Sequence, residues 1–307
     1  MLVIENYCNE ILKSDNYAAL GSFDGLHKGH ISLIEKTVEI AKKRNGKSMV
    51  FTFKNHPRSV LEKDYIPCLI MSNEKKAELL DKKHIDILCF KEFDSDFMKY
   101  SPEEFVKILI ERFNVKGIVV GFNYRFGFKN LGDVSLLKKL QKVYNYELYI
   151  MNPYLYEGSP ISSTRIRNAL LEGEIFKATD MLGFSYNIEG SIVHGREIGR
   201  TIGFPTANLE VDKKYVLPKI GVYYTNVFVN NNIYRGITNI GNNPTVCGKK
   251  ITVETFILDF NEDIYDKNIE LSFICKIRDQ KKFDSLEDLK NQLEKDKDYA
   301  RSLDLNY

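Results

Sequence analysis

The periodicity of this 307-residue chain changes once, near Gly183, and that change excludes a single continuous architecture. Before it, β-rich runs recur at 18–23 (AALGSF), 48–53 (SMVFTF), 85–90 (IDILCF), 117–122 (GIVVGF) and 147–151 (ELYIM). Between them lie stretches with helical spacing, at 30–44, 73–83, 102–113 and 134–144. Ile31, Ile34, Val38 and Ala41 repeat at three and four, the spacing of one helix face. Ser101-Pro102-Glu103-Glu104 reads as a helix start, with Ser as N-cap, Pro in the first turn and acids at the positive end of the dipole. Near-continuous apolar strands alternating with helices imply an α/β layer with a parallel, Rossmann-like sheet covered on both faces. Such sheets bind ligands at the carboxyl ends of their strands.

After Gly183 the helical spacing stops. Six short strands are expected at 184–193, 206–211, 221–229, 233–241, 251–260 and 269–278, separated by turn signals such as Leu217-Pro218 and Asn230-Asn231-Asn232. Six strands this close together suggest a small antiparallel barrel. A final helix should start at Ser285, with Glu287 and Asp288 in its first turn and Leu286, Leu289 and Leu293 as its apolar stripe. The expected domains are 1–183, α/β, and 184–307, β with a C-terminal helix.

Charge and cysteine usage narrow the function. The 44 basic and 42 acidic residues leave a net charge of +2, so no basic field marks a nucleic-acid surface. A small anionic substrate must then be held locally, by backbone N–H groups, a few cations or a metal. Cys8, Cys68, Cys89, Cys247 and Cys275 form no CxxC pair and are odd in number, as expected of reduced thiols. The start MLVIENYCNE lacks the pattern of a signal peptide, and no apolar run approaches the ~20 residues that span a bilayer. A cytoplasmic enzyme acting on small molecules, with no membrane and no nucleic-acid partner, is the expectation. Self-association is not readable from the chain.

Two dense motifs sit in the two architectures. GSFDGLHKGH (21–30) follows the first strand and opens the first helix. Gly21 and Gly25 allow a tight turn and close approach to a ligand, and the helix N-terminus beyond can bind phosphate. His27 and His30 are three apart and can reach the same group. GREIGRTIGFPTANL (195–209) is the second motif. Gly195, Gly199 and Gly203 make a loop whose N–H groups can wrap phosphates. Pro205 fixes the backbone before Thr206, and Thr206 and Asn208 point to one side of a strand. A hydroxyl and an amide oxygen suit Mg²⁺, a hard ion that shares nucleotide phosphates.

The first motif resembles the HxGH signature of the nucleotidyltransferase superfamily, in the GxFDGxHxGH form of prokaryotic FAD synthetases. FTFKNHPRSVL (51–61), VVGFNYRFGFKNLGD (119–133) and ISSTRIRNALLEGE (161–174) fit the same family in order, and the PTAN loop resembles a riboflavin kinase signature. Over essentially its whole length the chain resembles the bifunctional riboflavin kinase/FMN adenylyltransferases. The resemblance implies a nucleotidyltransferase-type sheet followed by a six-stranded barrel of riboflavin kinase type. It implies ATP, riboflavin and FMN as substrates and Mg²⁺ as the metal.

The resemblance also implies roles for individual residues. ATP would lie over the turn Gly21, Phe23, Asp24 and Gly25, with His27 and His30 stabilising charge on the α-phosphate. Ser162, Ser163, Thr164 and Arg165 would hold the triphosphate, although Ser-Ser-Thr before a helix is equally a plain capping sequence. Asn123 and Arg125 would face the flavin nucleotide. His56 is a weaker candidate that could instead shape the loop before Pro57. In the second domain Gly195, Arg196, Gly203 and Pro205 would bind nucleotide, Thr206 and Asn208 the metal, and Glu254 would be the base. The chain departs from the family at Asn243, Val246, Asp266 and Tyr224, which touches flavin and nucleotide affinity. An enzyme with one decayed domain and a flavin-sensing binding protein are the alternatives.

Overall fold

The computed structural model describes residues 1–6, 11–61, 68–195, 199, 203–245 and 248–303. The chain divides into two compact units, Met1–Ser163 and Thr164–Tyr307.

The first unit is built on β1 (Leu2–Glu5), β2 (Asn16–Leu20), β3 (Lys47–Phe53), β4 (Ile87–Lys91), β5 (Val115–Gly121) and β8 (Glu147–Met151). They form one sheet in the order β1-β4-β3-β2-β5-β8, with every pair parallel. Two short antiparallel ribbons, β6 (Arg125–Phe126) with β7 (Gly132–Asp133) and β9 (Leu155–Tyr156) with β10 (Ser159–Pro160), lie in the connections. The edge strand β1 was not among the expected strands. Only Ile4 of its four residues is buried, so it carries little periodic signal. The strand order reverses at β2, with β3 and β4 on one side and β5 and β8 on the other. That reversal is the switch point where open α/β sheets take their ligands.

Helices α1 (Lys28–Lys43), α2 (Arg58–Leu61), α3 (Asn73–Lys82), α4 (Pro102–Glu111) and α5 (Val134–Tyr144) connect the strands. The α4 start is as expected, and Glu104 completes a capping box with Ser101. On α1 the buried face centres on Leu33, Ile34, Thr37, Ile40 and Ala41, which leaves Ile31 and Val38 at its margin. Thr37 can lie inside because its hydroxyl donates to the carbonyl of Leu33 at 2.9 Å. An aromatic cluster that includes Phe51, Phe105 and Phe113 fills one side of the sheet. Each such buried ring contributes roughly 1.5–3 kcal/mol relative to exposure.

The second unit contains α6 (Ser163–Glu172) from Thr164 onward and α7 (Ile175–Leu182). Gly183 ends α7 in the left-handed region (φ 91), where a residue without Cβ is favoured. Then come β11 (Tyr186–Val193), β12 (Thr206–Glu210), β13 (Gly221–Val229), β14 (Asn232–Thr245), β15 (Gly248–Ile257) and β16 (Asn268–Arg278). They close an antiparallel barrel in the order β11-β12-β15-β14-β13-β16. Its interior holds a ladder of buried hydroxyls, Thr225 to Thr238 at 2.8 Å and Thr238 to Thr255 at 3.0 Å.

The last helix, α8 (Leu286–Ser302), has Ser285 as its N-cap, accepting from the Asp288 amide. Its packing face follows the expected leucine stripe only in part, with Leu289 and Leu293 half-buried. Leu286 is 59% exposed, and the buried residues are Asp296 and Ala300. Asp296 takes three hydrogen bonds of 2.8–3.1 Å from the Arg278 guanidinium on β16. A carboxylate bound in this way can face a core that an unpaired one could not. Tyr224, where the family commonly has a small residue, is fully buried in the apolar cluster that Ala300 joins. Asp266 has φ 60, which accounts for the glycine usual at that position.

Candidate active sites

The turn after β2 is strained. Phe23 (φ 47), Gly25 (φ 83) and Leu26 (φ 39) all lie in the left-handed region, and the two apolar residues are held there by complete burial. Non-glycine residues in such conformations cost about 1–3 kcal/mol each and gather at functional sites. Gly25 is doubly constrained, since a Cβ there would lie 2.9 Å from Ile70 Cγ2. The Asp24 carboxylate accepts from the Ile70 amide at 3.0 Å, and the Asp24 carbonyl accepts from the Ser163 hydroxyl at 2.9 Å. Ser163 is thereby tied to this turn, and Ser162 precedes it. Thr164 and Arg165 lie in the first turn of α6.

His27 caps α1. Its Nδ1 accepts from the His30 amide at 3.3 Å, which leaves Nε2 to carry the proton of the neutral ring. The two imidazoles stack, with centroids 3.6 Å apart and planes inclined by 16°. Burial lowers the pKa of His27 to about 4. His30 is held well below its ordinary value by burial first, then by His27 and Lys76. Among the described residues, His30 Nδ1 is buried without a partner. The motif thus presents a close pair of neutral donors at a helix N-terminus.

β5 is the neighbour of β2 in the parallel sheet, so the turn beyond β5 opens on the same edge. Asn123 and Arg125 lie there and are exposed, and the Arg125 guanidinium stands 3.5 Å from Asp133 across the β6/β7 ribbon. An exposed pair at that distance holds little energy and leaves the arginine available to a ligand. Beyond β3, His56 Nδ1 accepts from the Arg58 amide at 3.2 Å, consistent with loop shaping. Sequence reasoning missed Lys76, a lysine on the buried face of α3 that also lines a cleft with Ser22, Asp24 and His56. The available signal was its position four residues before the buried Leu80.

In the barrel, strand register assembles the second site. Asn208 of β12 stands directly opposite Glu254 of β15, and Glu254 stands opposite Asn239 of β14. Thr206 lies two residues from Asn208, on the same face and diagonal to Glu254. This face is opposite the one carrying the Thr238–Thr255 ladder, so Thr206, Asn208 and Glu254 lie on the outside of the barrel. Thr206 is exposed and Glu254 half-buried. Two of the motif glycines stand in tight places. A Cβ at Gly195 would lie 2.1 Å from Asn208 Nδ2, and one at Gly199 would lie 2.2 Å from the Phe204 carbonyl oxygen. Phe204 donates to the Gly199 carbonyl at 2.8 Å and packs edge-on against Phe256. Gly203 and Pro205 are exposed beside this face, and Asn239 was not foreseen. Arg196, Val246, Cys8 and Cys247 lie outside the described residues.

Two unlike folds, a parallel sheet and a closed barrel, each bearing one of the motifs, fit a transferase of phosphorus-containing groups. Residues 10–165 match the FAD synthetase family model, and residues 182–303 match the riboflavin kinase model. A relative from Listeria monocytogenes, described as a bifunctional riboflavin kinase/FMN adenylyltransferase, is 37% identical over 92% of this chain and 91% of its own length. One of the same description from Escherichia coli K12 is 34% identical over 92% of this chain and 90% of its own. A crystal structure described as a macrolide-efflux protein from Streptococcus pneumoniae has a TM-score of 0.91 and 34% identity, covering 99% of this chain and 100% of that one. Among the described residues no helix is long and apolar enough to cross a membrane. The chain belongs to the bifunctional riboflavin kinase/FMN adenylyltransferase family.

Proposed function

We propose that the two units catalyse successive steps. The barrel transfers the γ-phosphate of ATP to riboflavin, giving FMN and ADP. The sheet unit transfers the adenylyl group of a second ATP to FMN, giving FAD and pyrophosphate. We assign 1–183 to the second step and 184–307 to the first, an assignment supported by the extents of the two matching family models. The observation that carries the reading is the register pairing Asn208 with Glu254 on the face that also bears Thr206.

In the kinase step Glu254 takes the proton of the flavin's terminal hydroxyl as its oxygen attacks the γ-phosphorus and the bond to ADP breaks. The loop bearing Gly195, Arg196, Gly203 and Pro205 holds the nucleotide. The Thr206 hydroxyl and the Asn208 amide oxygen are donors of the kind Mg²⁺ accepts, and would hold it alongside water and phosphate. Bound there, Mg²⁺ would neutralise phosphate charge.

In the adenylylation step an FMN phosphate oxygen attacks the α-phosphorus and the bond to pyrophosphate breaks. His27 and His30 donate N–H groups to the α-phosphate, which neutral imidazoles can do without prior protonation. The turn Gly21–Gly25 and the run Ser162–Arg165 position the nucleotide, and Asn123 and Arg125 face the flavin. Positioning and electrostatics suffice, with no covalent intermediate. A chromatographic time course with riboflavin, ATP and Mg²⁺ tests this: FMN should rise first and then fall as FAD grows. FAD formation that does not depend on the barrel would contradict it.

A further inference from the structure

Lys76 is a buried cation that neither step uses. It lies at 4% exposure on the inner face of α3. Among the described residues its ammonium makes one hydrogen bond, to the Ser22 carbonyl at 3.3 Å. That oxygen also accepts from the Thr52 hydroxyl at 2.9 Å, so the lysine is not needed to satisfy it. The Phe90 ring centre stands 5.8 Å from Nζ. An ammonium has three N–H donors, so two remain unspent. Among the described residues no carboxylate lies within ion-pair distance of Nζ. The Asp24 carboxylate acts on it only through its field and is engaged with the Ile70 amide.

An ammonium buried in this way is costly unless an anion meets it. Lys76 lines one cleft with Ser22, Asp24, Asn55, His56 and Asn73. Ser22 and Asp24 follow β2, and Asn55 and His56 follow β3, so the cleft opens at the carboxyl ends of adjacent strands. The stacked histidines beside it are neutral and add no positive charge. A phosphate arriving there would find its buried positive charge in Lys76.

We propose that Lys76 binds a phosphate of the adenylylation substrates, spending its two remaining N–H groups on oxygens of FMN or of ATP. This rests on reading the first unit as the adenylylation centre. Substituting Lys76→Met in the full chain removes the charge and keeps the bulk. Hydrogen bonds to charged groups are strong, so KM for one substrate in FAD formation from supplied FMN and ATP should rise about tenfold or more. A rise for FMN assigns the flavin phosphate, and a rise for ATP assigns the nucleotide phosphate. Riboflavin phosphorylation should be unchanged. Both KM values unchanged, with or without a fall in kcat, would overturn the proposal.

Thermal unfolding shows whether the variant folds. If it does not, the wild type's pH profile decides. Burial draws the Lys76 pKa down to about 8, against the pull of Asp24. The ionisable groups facing Lys76 are Asp24 on the turn, His30 on α1, and Lys54 and His56 beyond β3. His30, held well below its ordinary value by burial, stays neutral across pH 7 to 9. KM for the phosphate substrate should therefore rise across that window as the ammonium is lost. A flat profile would sink the proposal. Wild type that makes no FAD would sink the reading of the site and this inference together, whereas an active wild type with an unchanged variant sinks the inference alone.

Discussion

Gly195→Ala separates folding from catalysis in the barrel. The new methyl would lie 2.1 Å from Asn208 Nδ2, 2.6 Å from its Cγ and 2.9 Å from its Oδ1. Non-bonded heavy atoms prefer about 3.5 Å or more, so the amide must swing away by about 1.4 Å. Stability should barely register this. Gly195 is exposed and lies outside the left-handed region, and the three atoms nearest its added Cβ all belong to the end of the Asn208 side chain. Glycine to alanine at a compatible backbone stabilises by about 0.4–1 kcal/mol through the unfolded chain. Catalysis should register it strongly, because misplacing a positioning group by 1 Å can cost about 10²-fold. The expected result is riboflavin phosphorylation down about 10²-fold, FMN adenylylation unchanged, and an unfolding midpoint equal to or above that of wild type. Asn208→Ala deletes all three clashing atoms, so adding Gly195→Ala to it should cost little more. A single variant phosphorylating riboflavin within about threefold of wild type would refute the role given to Asn208.

Glu254→Gln should lower riboflavin phosphorylation by about 10²-fold or more and spare adenylylation of supplied FMN. His27→Ala with His30→Ala should do the reverse: FAD formation falls by at least about 10²-fold and FMN accumulates. Equal loss of both activities in either folded protein would defeat the two-centre reading. The same histidines give a pH prediction whose sign follows from their depressed pKa values. Above about 6.5, the unperturbed value, the rings are neutral in both folded and unfolded chains, and stability from this source is level. Below it, the unfolded chain binds protons that the folded chain refuses until about pH 4 for His27. Stability should therefore fall between pH 6.5 and 4, and the double variant should lose less than wild type on going from pH 7 to 5; equal losses in unfolding midpoint would count against buried neutral rings.

What was legible in the sequence followed from repetition. The parallel sheet, the barrel and both motifs announce themselves through spacing, and Thr206 and Asn208 through alternation. Four things stayed hidden for separate reasons. β1 buries one side chain in four and pairs with β4, which is more than eighty residues away, so no local pattern marks it. The face of α8 is set by Asp296 meeting Arg278, a polar partnership invisible to a search for leucines. Lys76 occupies a position where its residue type argues for solvent, and only the surrounding fold buries it. The Asn208–Glu254 pairing needs strand register, which the resemblance implied only as a list of roles.

That register limits how this protein can change over generations. Glu254 and Thr255 are chain neighbours with opposite duties, one on the outer row and the other in the inner hydroxyl ladder. Substitution can tune either one alone. Deleting or inserting one residue within β15 would exchange them, turning a carboxylate into the core and a core hydroxyl out to the substrate. A closed barrel has no free edge at which to absorb the slip. Length variation among descendants should therefore collect in the hairpin turns and be excluded from β12 and β15, and a lineage that discards the kinase step should do so by point changes at Glu254 or Asn208 while the strand lengths persist.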